Sequence, residues 1–146
     1  MSLVDNKKIH FNYEVLEKFE AGIELFGFEV KALRAGKASL EGSHVSIRGG
    51  EAFLVSTNIE PYQPKNTPTE YDPARSRKLL LNKKEIEELE KYEAEKGLTI
   101  VPISVYNNGR KIKVSIAVVR GKKKFDKRES IKKRETDIEI RREMKR

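Results

Sequence analysis

Two groups of side chains in this sequence have types and spacings suited to contact with phosphates and unpaired bases. Arg75, Arg77 and Lys78 cluster beside a proline-rich stretch, and Lys122-Lys123-Lys124-Phe125-Asp126-Lys127-Arg128 sets an aromatic ring inside a basic run. Guanidinium and ammonium groups neutralise phosphates, while an aromatic face stacks on an unpaired base. Taken singly, such groups are more often solvated charge or core rings, so they need a shared surface to mean anything. Groups suited to bond-making chemistry are scarcer. The two histidines, His10 and His44, are far apart, and the absence of cysteine removes disulfides, thiolate metal sites and a cysteine nucleophile. HExxH, GxSxG and an EF-hand loop do not occur. Gly36-Lys37 lacks the earlier glycine of a phosphate-binding loop, because Lys31 stands in its place. Neither catalysis nor a cofactor is expected.

The distribution of charge supports a polyanionic partner. The net charge is +8, yet 13 Lys and Arg against 6 Asp and Glu fall between Arg120 and Arg146, and 18 against 17 before them. That layout describes a near-neutral domain carrying a basic arm; charge alone would equally fit a solubilising tail. No apolar run is long enough to span a bilayer, and the arm lacks the apolar face of an interfacial helix, so no membrane role is expected. The opening Met1–Lys8 has no apolar stretch, which argues for a cytoplasmic protein rather than a secreted one.

The elements that must position these groups read as mainly β. Tyr13, Val15, Phe19, Ala21, Ile23 and Leu25 follow a period of two, the mark of a strand. Phe26, Val30 and Leu33 then form the stripe of a short helix that Gly36 would end. Gly49-Gly50 predicts a tight hairpin pairing Ile47 with Ala52 and Val45 with Leu54. Residues 60–76 hold four of the five prolines and read as a long exposed loop. A short strand at 78–81 follows. Asn82 and Glu85 have the spacing of a capping box, opening a helix with Ile86, Leu89 and Tyr92 on one face and Gly97 at its end. Asn108-Gly109 predicts a last hairpin pairing Val105 with Ile112 and Ile103 with Val114, with Lys111 and Lys113 facing outward. Pro102 argues for an edge or a bulge in its strand. The expected fold is mainly β with small helices: an antiparallel β-barrel, with the OB class as first choice.

Several stretches together resemble the SsrA-binding proteins, also called small protein B, over almost the whole chain. They are Phe19-Glu20-Ala21-Gly22; Phe28-Glu29-Val30-Lys31-Ala32-Leu33-Arg34-Ala35-Gly36-Lys37; Gly50-Glu51-Ala52-Phe53-Leu54; Asp72-Pro73-Ala74-Arg75-Ser76-Arg77-Lys78-Leu79-Leu80-Leu81-Asn82; and Gly121-Lys122-Lys123-Lys124-Phe125-Asp126-Lys127-Arg128 with Ile131-Lys132-Lys133-Arg134-Glu135 after it. One such motif is weak evidence; five in the family's order at compatible spacing are strong.

The resemblance implies an OB-like barrel over residues 1–120 that binds the tRNA-like domain of tmRNA, the RNA that serves as both tRNA and message. It also implies entry into the A site of stalled ribosomes, with a basic tail, 121–146, in the empty mRNA channel at the 16S rRNA decoding centre. Elongation factor Tu with GTP would deliver the charged complex. By position, Asn6, Glu20, Leu80 and Lys113 match places implicated in tmRNA binding, and Arg75, Arg77, Lys78 and Lys111 add cations suited to phosphates. In the tail, Gly121, Lys122, Lys123, Lys124, Phe125, Asp126, Lys127, Arg128, Ile131, Lys132, Lys133 and Arg134 match the decoding-centre segment. Asp126 and Glu129 are spaced as a capping box, yet the tail's apolar residues form no continuous face, so it is expected to be disordered when free and helical on the ribosome. The chain departs from its relatives at Phe125, often histidine or tyrosine, and at Phe28 and Asn107, often tryptophan. The competing reading is a general structured-RNA-binding or ribosome-associated barrel.

Overall fold

Alternating apolar side chains build the frame of the structure, a computed structural model that describes residues 2–63, 65 and 67–121. The expectations for the tail beyond Gly121 lie outside the described residues. In chain order the elements are β1 (Ser2–Asp5), α1 (Ile9–Asn12), β2 (Tyr13–Ile23), α2 (Gly27–Arg34), β3 (Ala38–Ser39), β4 (His44–Arg48), β5 (Glu51–Val55), β6 (Asn58–Ile59), β7 (Arg77–Leu80), α3 (Lys83–Ala94), β8 (Leu98–Asn108) and β9 (Lys111–Gly121). Seven strands form one antiparallel sheet in the order β1-β8-β9-β2-β7-β5-β4, and β3 pairs with β6. The expected class, mainly β with small helices in an OB-like barrel, holds.

Two bulges fall on the long strands, where such an insertion bends and twists the sheet. One falls between Val15 and Glu17 on β2, the other between Pro102 and Ser104 on β8, where proline has no N–H to give the ladder. The sheet curls until β4 returns against β8. There α3 fills the seam: Leu89 is buried, and the Glu93 carboxylate accepts a hydrogen bond from the Ile47 N–H on the free edge of β4 at 3.0 Å. Asn82 opens α3 as expected, its side chain accepting from the Glu85 N–H at 2.8 Å while Glu85 accepts from the Asn82 N–H at 3.1 Å.

Two apolar clusters result. Phe19, Ala21, Leu54, Leu79, Ile100, Val105, Val114, Ile116 and Val118 belong to the main core; Ile9, Val101, Ala117 and Val119 pack on the opposite face. The end of β9 is therefore buried on both sides. The expected pairing of Ile103 with Val114 is corrected by the bulge, which leaves Val105 in the main core and turns Ile103, with Val101, to the other cluster.

The β4–β5 hairpin has the expected register, Ile47 opposite Ala52 and Val45 opposite Leu54, with both turn glycines at positive φ. The β8–β9 hairpin does not. Its loop is Gly109-Arg110, so Asn108 faces Lys111, Val105 faces Val114 and Asn107 faces Ile112. The slip is by two residues, which leaves each β9 side chain on its expected face.

The largest departure is the loop at 60–76. It is tied inward by a fully buried carboxylate, Glu29 of α2. Arg75 grips it as a fork, Nη2 to Oε1 at 2.6 Å and Nε to Oε2 at 3.1 Å, and Arg77 donates Nε to Oε2 at 2.8 Å. Arg77 spends its remaining donors on the carbonyls of Thr57, Arg75 and Pro73 and on the Tyr71 hydroxyl. All five guanidinium N–H groups are satisfied. The Tyr71 hydroxyl also lies 2.9 Å from Glu29 Oε2 and 2.8 Å from the Ile59 carbonyl. Burial and the Glu29 carboxylate push that hydroxyl up to about 12, so it stays protonated. Burial also pushes the Glu29 carboxyl up, but the Arg75 and Phe26 hydrogen bonds and the Arg77 charge outweigh it and hold Glu29 below its ordinary 4.5.

A depressed carboxyl contributes stability that is full above its unfolded value and lost as pH falls through the folded one. Chemical denaturation of Glu29→Gln from pH 7 down to about pH 3 should therefore show a flatter acid-side decline than the parent chain. At pH 7, Glu29→Ala should cost about 3–5 kcal/mol, since it strands a buried guanidinium.

Candidate nucleic-acid interface

The ladders that form the barrel also align four outward positions. Tyr106 of β8 sits opposite Lys113 of β9, Lys113 opposite Gly22 of β2, and Gly22 opposite Leu80 of β7. Side chains at paired positions share one face, so this row crosses four strands on the outside of the sheet. One row away, Glu20 faces Ser115, and its carboxylate accepts a hydrogen bond from the Tyr106 hydroxyl at 2.9 Å. Partial burial and the Glu20 carboxylate push the Tyr106 hydroxyl up, keeping it a donor.

Gly22 explains the shape of the row. A Cβ there would come within 3.2 Å of the Leu80 Cβ and 3.3 Å of its Cδ1, so the bare backbone is what lets Leu80 lie across β2. Leu80 is 49% exposed while Leu79 beside it is 1% exposed. Beside this row runs an open groove of about 570 Å³, lined in part by Glu20, Lys78, Leu80, Asn82 and Lys113. Lys78 leans toward Glu51 at 3.6 Å, whereas Lys113 forms no ion pair among the described residues. Lys111 is exposed at the turn end of β9, across from Asn108. With Glu20, Glu51 and Glu85 also on its walls, the groove has mixed charge. That suits an RNA edge offering both phosphates and N–H or 2′-OH donors better than a plain phosphate track.

The structure thus brings Glu20, Lys78, Leu80 and Lys113 together. Lys111 lines an adjoining hollow with Gly22, Leu80 and Lys113, and the others lie elsewhere. Arg77, expected to contact phosphate, is instead 0% exposed with every donor occupied, and its role is internal. Arg75 reaches the surface in part, beneath the ring of Phe26. Asn6 donates its side-chain N–H to the Pro102 carbonyl at 3.2 Å and its backbone N–H to the Ile103 carbonyl at 2.8 Å, fastening the end of β1 to the β8 bulge. Gly121 closes β9 opposite Tyr13. Lys122 through Arg134 lie outside the described residues. Tyr106 and Gly22 were not singled out from the sequence as members of this surface; the period-two pattern of β2 and β8 contained the signal, since it puts them on the face opposite the core.

Among the described residues no cluster of three or more His, Asp or Glu could hold a metal ion, and no helix is long and apolar enough to cross a membrane.

Because Leu80 is exposed, Leu80→Ala should change the unfolding free energy by less than about 1 kcal/mol, whereas Leu79→Ala should cost about 2–5 kcal/mol. Urea denaturation of the two variants side by side checks the assignment of faces.

Comparison with known proteins agrees across the chain. The family described as SmpB protein matches residues 3–146. The SsrA-binding protein of Gloeobacter violaceus is 48% identical over 144 residues, covering 99% of this chain and 94% of that one. Those of Microcystis aeruginosa and Caldicellulosiruptor saccharolyticus are each 46% identical, covering 99% and 98% of this chain and 94% and 90% of theirs. A chain of the solved structure "tmRNA-SmpB: a journey to the center of the bacterial ribosome" superposes with a TM-score of 0.69 at 45% identity, over 82% of this chain and 84% of that one.

Proposed function

Since the chain belongs to the SmpB protein family, we propose that it binds the tRNA-like domain of tmRNA and brings it to the A site of stalled ribosomes for trans-translation. The observation that carries this reading is the convergence of Glu20, Leu80 and Lys113, three residues distant in sequence, on one outward groove. Lys113 supplies a cation for the phosphate backbone. Glu20, aligned by Tyr106, accepts from a base N–H or a 2′-OH. Leu80 supplies an apolar surface for a sugar or base. Lys78 and Lys111 add charge along the same side.

The protein works as an RNA-binding partner, without catalysing a step itself, and acts in the cytoplasm. Elongation factor Tu with GTP delivers the charged complex through its hold on the RNA. The tail from Gly121 onward, with Lys122–Arg128 and Ile131–Arg134, occupies the empty mRNA channel at the 16S rRNA decoding centre and becomes helical there. Phe125 replaces a histidine or tyrosine of relatives, keeping an aromatic face for stacking while giving up a hydrogen bond.

Sequencing the RNA that co-purifies with the tagged protein from a bacterial lysate should return one dominant species, tmRNA; a broad RNA population would favour the general RNA-binding barrel. In binding titrations against salt, Lys113→Ala should weaken the complex by about 1 kcal/mol and lower the salt slope by about one. Glu20→Gln should also weaken it, but with an unchanged or steeper slope, because a negative charge is lost. For the tail, Ile131→Pro should leave tmRNA binding intact and abolish tagging of stalled products, while Ile131→Leu remains active.

A further inference from the structure

The Glu29 cluster holds one more positive charge than negative: two guanidiniums meet one carboxylate, and Tyr71 is neutral. Arg77 is sealed from solvent, so the surplus reaches the surface at Arg75, whose side chain is 26% exposed. Directly against it lies Phe26. The Arg75 guanidinium carbon stands 4.1 Å from the ring centroid, and the residue is 49% exposed. An exposed aromatic is unremarkable by itself, but this one is held in place. Phe26 caps α2, its N–H donates to Glu29 Oε1 at 2.8 Å, and the Phe28 ring stands 5.5 Å away. Phe26, Arg75 and Lys78 line a shallow hollow of about 290 Å³ with Glu24, Phe53 and Ser76. Lys78 also lines the groove that holds Glu20, Leu80 and Lys113, so the two hollows meet at one residue.

We propose that this hollow is a second RNA subsite, in which an unpaired base stacks on the exposed Phe26 ring and its phosphate lies between Arg75 and Lys78. The inference rests on the RNA reading of the neighbouring groove. With Arg75 stacked on one side of the ring and Phe26 still 49% exposed, the rest of the ring and its two nearby cations fit one splayed nucleotide. A protein partner would call for a broader apolar face than a single ring provides.

The chain contains no tryptophan, so Phe26→Trp adds a unique fluorophore that reports stacking directly. With the full chain and a transcript of the tmRNA tRNA-like domain, Phe26→Trp should bind within about twofold of the parent, and its emission should be quenched as the RNA is added. Phe26→Ala and Phe26→Leu should each weaken binding about tenfold with an unchanged salt slope, since a stacking face but no charge is lost. Equal loss in the leucine variant separates stacking from simple packing over Arg75. Unquenched Phe26→Trp together with parent-like affinity of Phe26→Ala, while Lys113→Ala still weakens the complex, would overturn the subsite and leave the groove reading standing. Normal RNA binding by Phe26→Ala with loss of tagging would overturn it in favour of a ribosomal protein contact. A parent chain that does not bind the transcript would overturn the groove reading and the subsite with it.

Discussion

One carboxylate organises the part of the molecule that holds the candidate interface. Glu29 accepts from Arg75, Arg77 and the Phe26 N–H at once, and so joins the start of α2, the end of the proline-rich loop and the start of β7. Burying such a group is expensive, and well-packed apolar residues would often give equal stability. What the ion cluster adds is position. Arg77 opens β7 with its side chain inward, which sets the phase of the strand: Lys78 out, Leu79 in, Leu80 out. A slip of one residue would turn Lys78 and Leu80 into the core and empty the groove. The same bonds bring the long loop against the barrel, so Arg75 stands beneath Phe26 instead of waving in solvent.

How far this was legible in the sequence depends on the range of the interaction. Local signals read well. Gly49-Gly50 dictated the β4–β5 register because both positions need positive φ, and Asn82 with Glu85 marked the start of α3 because the capping bonds span three residues. Asn108-Gly109 misled, since Gly109 occupies the first place of the turn, not the second, and the strands pair two residues further along than expected. Pro102 announced a bulge, yet only the pairing shows that the bulge redirects Val101 and Ile103 to another cluster. Glu29 was least visible. It sits at the i+3 place of the α2 stripe from Phe26, a place that should be apolar, but its partners lie 46 and 48 residues away. Nothing local distinguishes a buried glutamate from a solvated one.

The candidate interface was legible in part for the same reason. The resemblance named Glu20, Leu80 and Lys113 by position, and the outward alternation of Lys111 and Lys113 followed from period two. That these residues meet depends on the order of the strands, in which β2 lies between β9 and β7. Tyr106 joins because β8 flanks β9, and Gly22 matters through the atom it lacks. Arg77 carried the right chemistry for phosphate and the wrong location. A basic residue inside a recognised motif is as readily a brace for the surface as a part of it.

The last described residue, Gly121, ends β9, and β9 is laddered on both sides, to β2 and to β8, along nearly its whole length. Hydrogen bonds in antiparallel ladders run across the strands. A pull on Gly121 along the strand axis therefore loads many of those bonds sideways and together, instead of opening them one by one as a zipper would. The barrel end of the molecule is thus built as a mechanical anchor. A load applied at Gly121 is shared between both neighbours of β9, so no single strand peels away first.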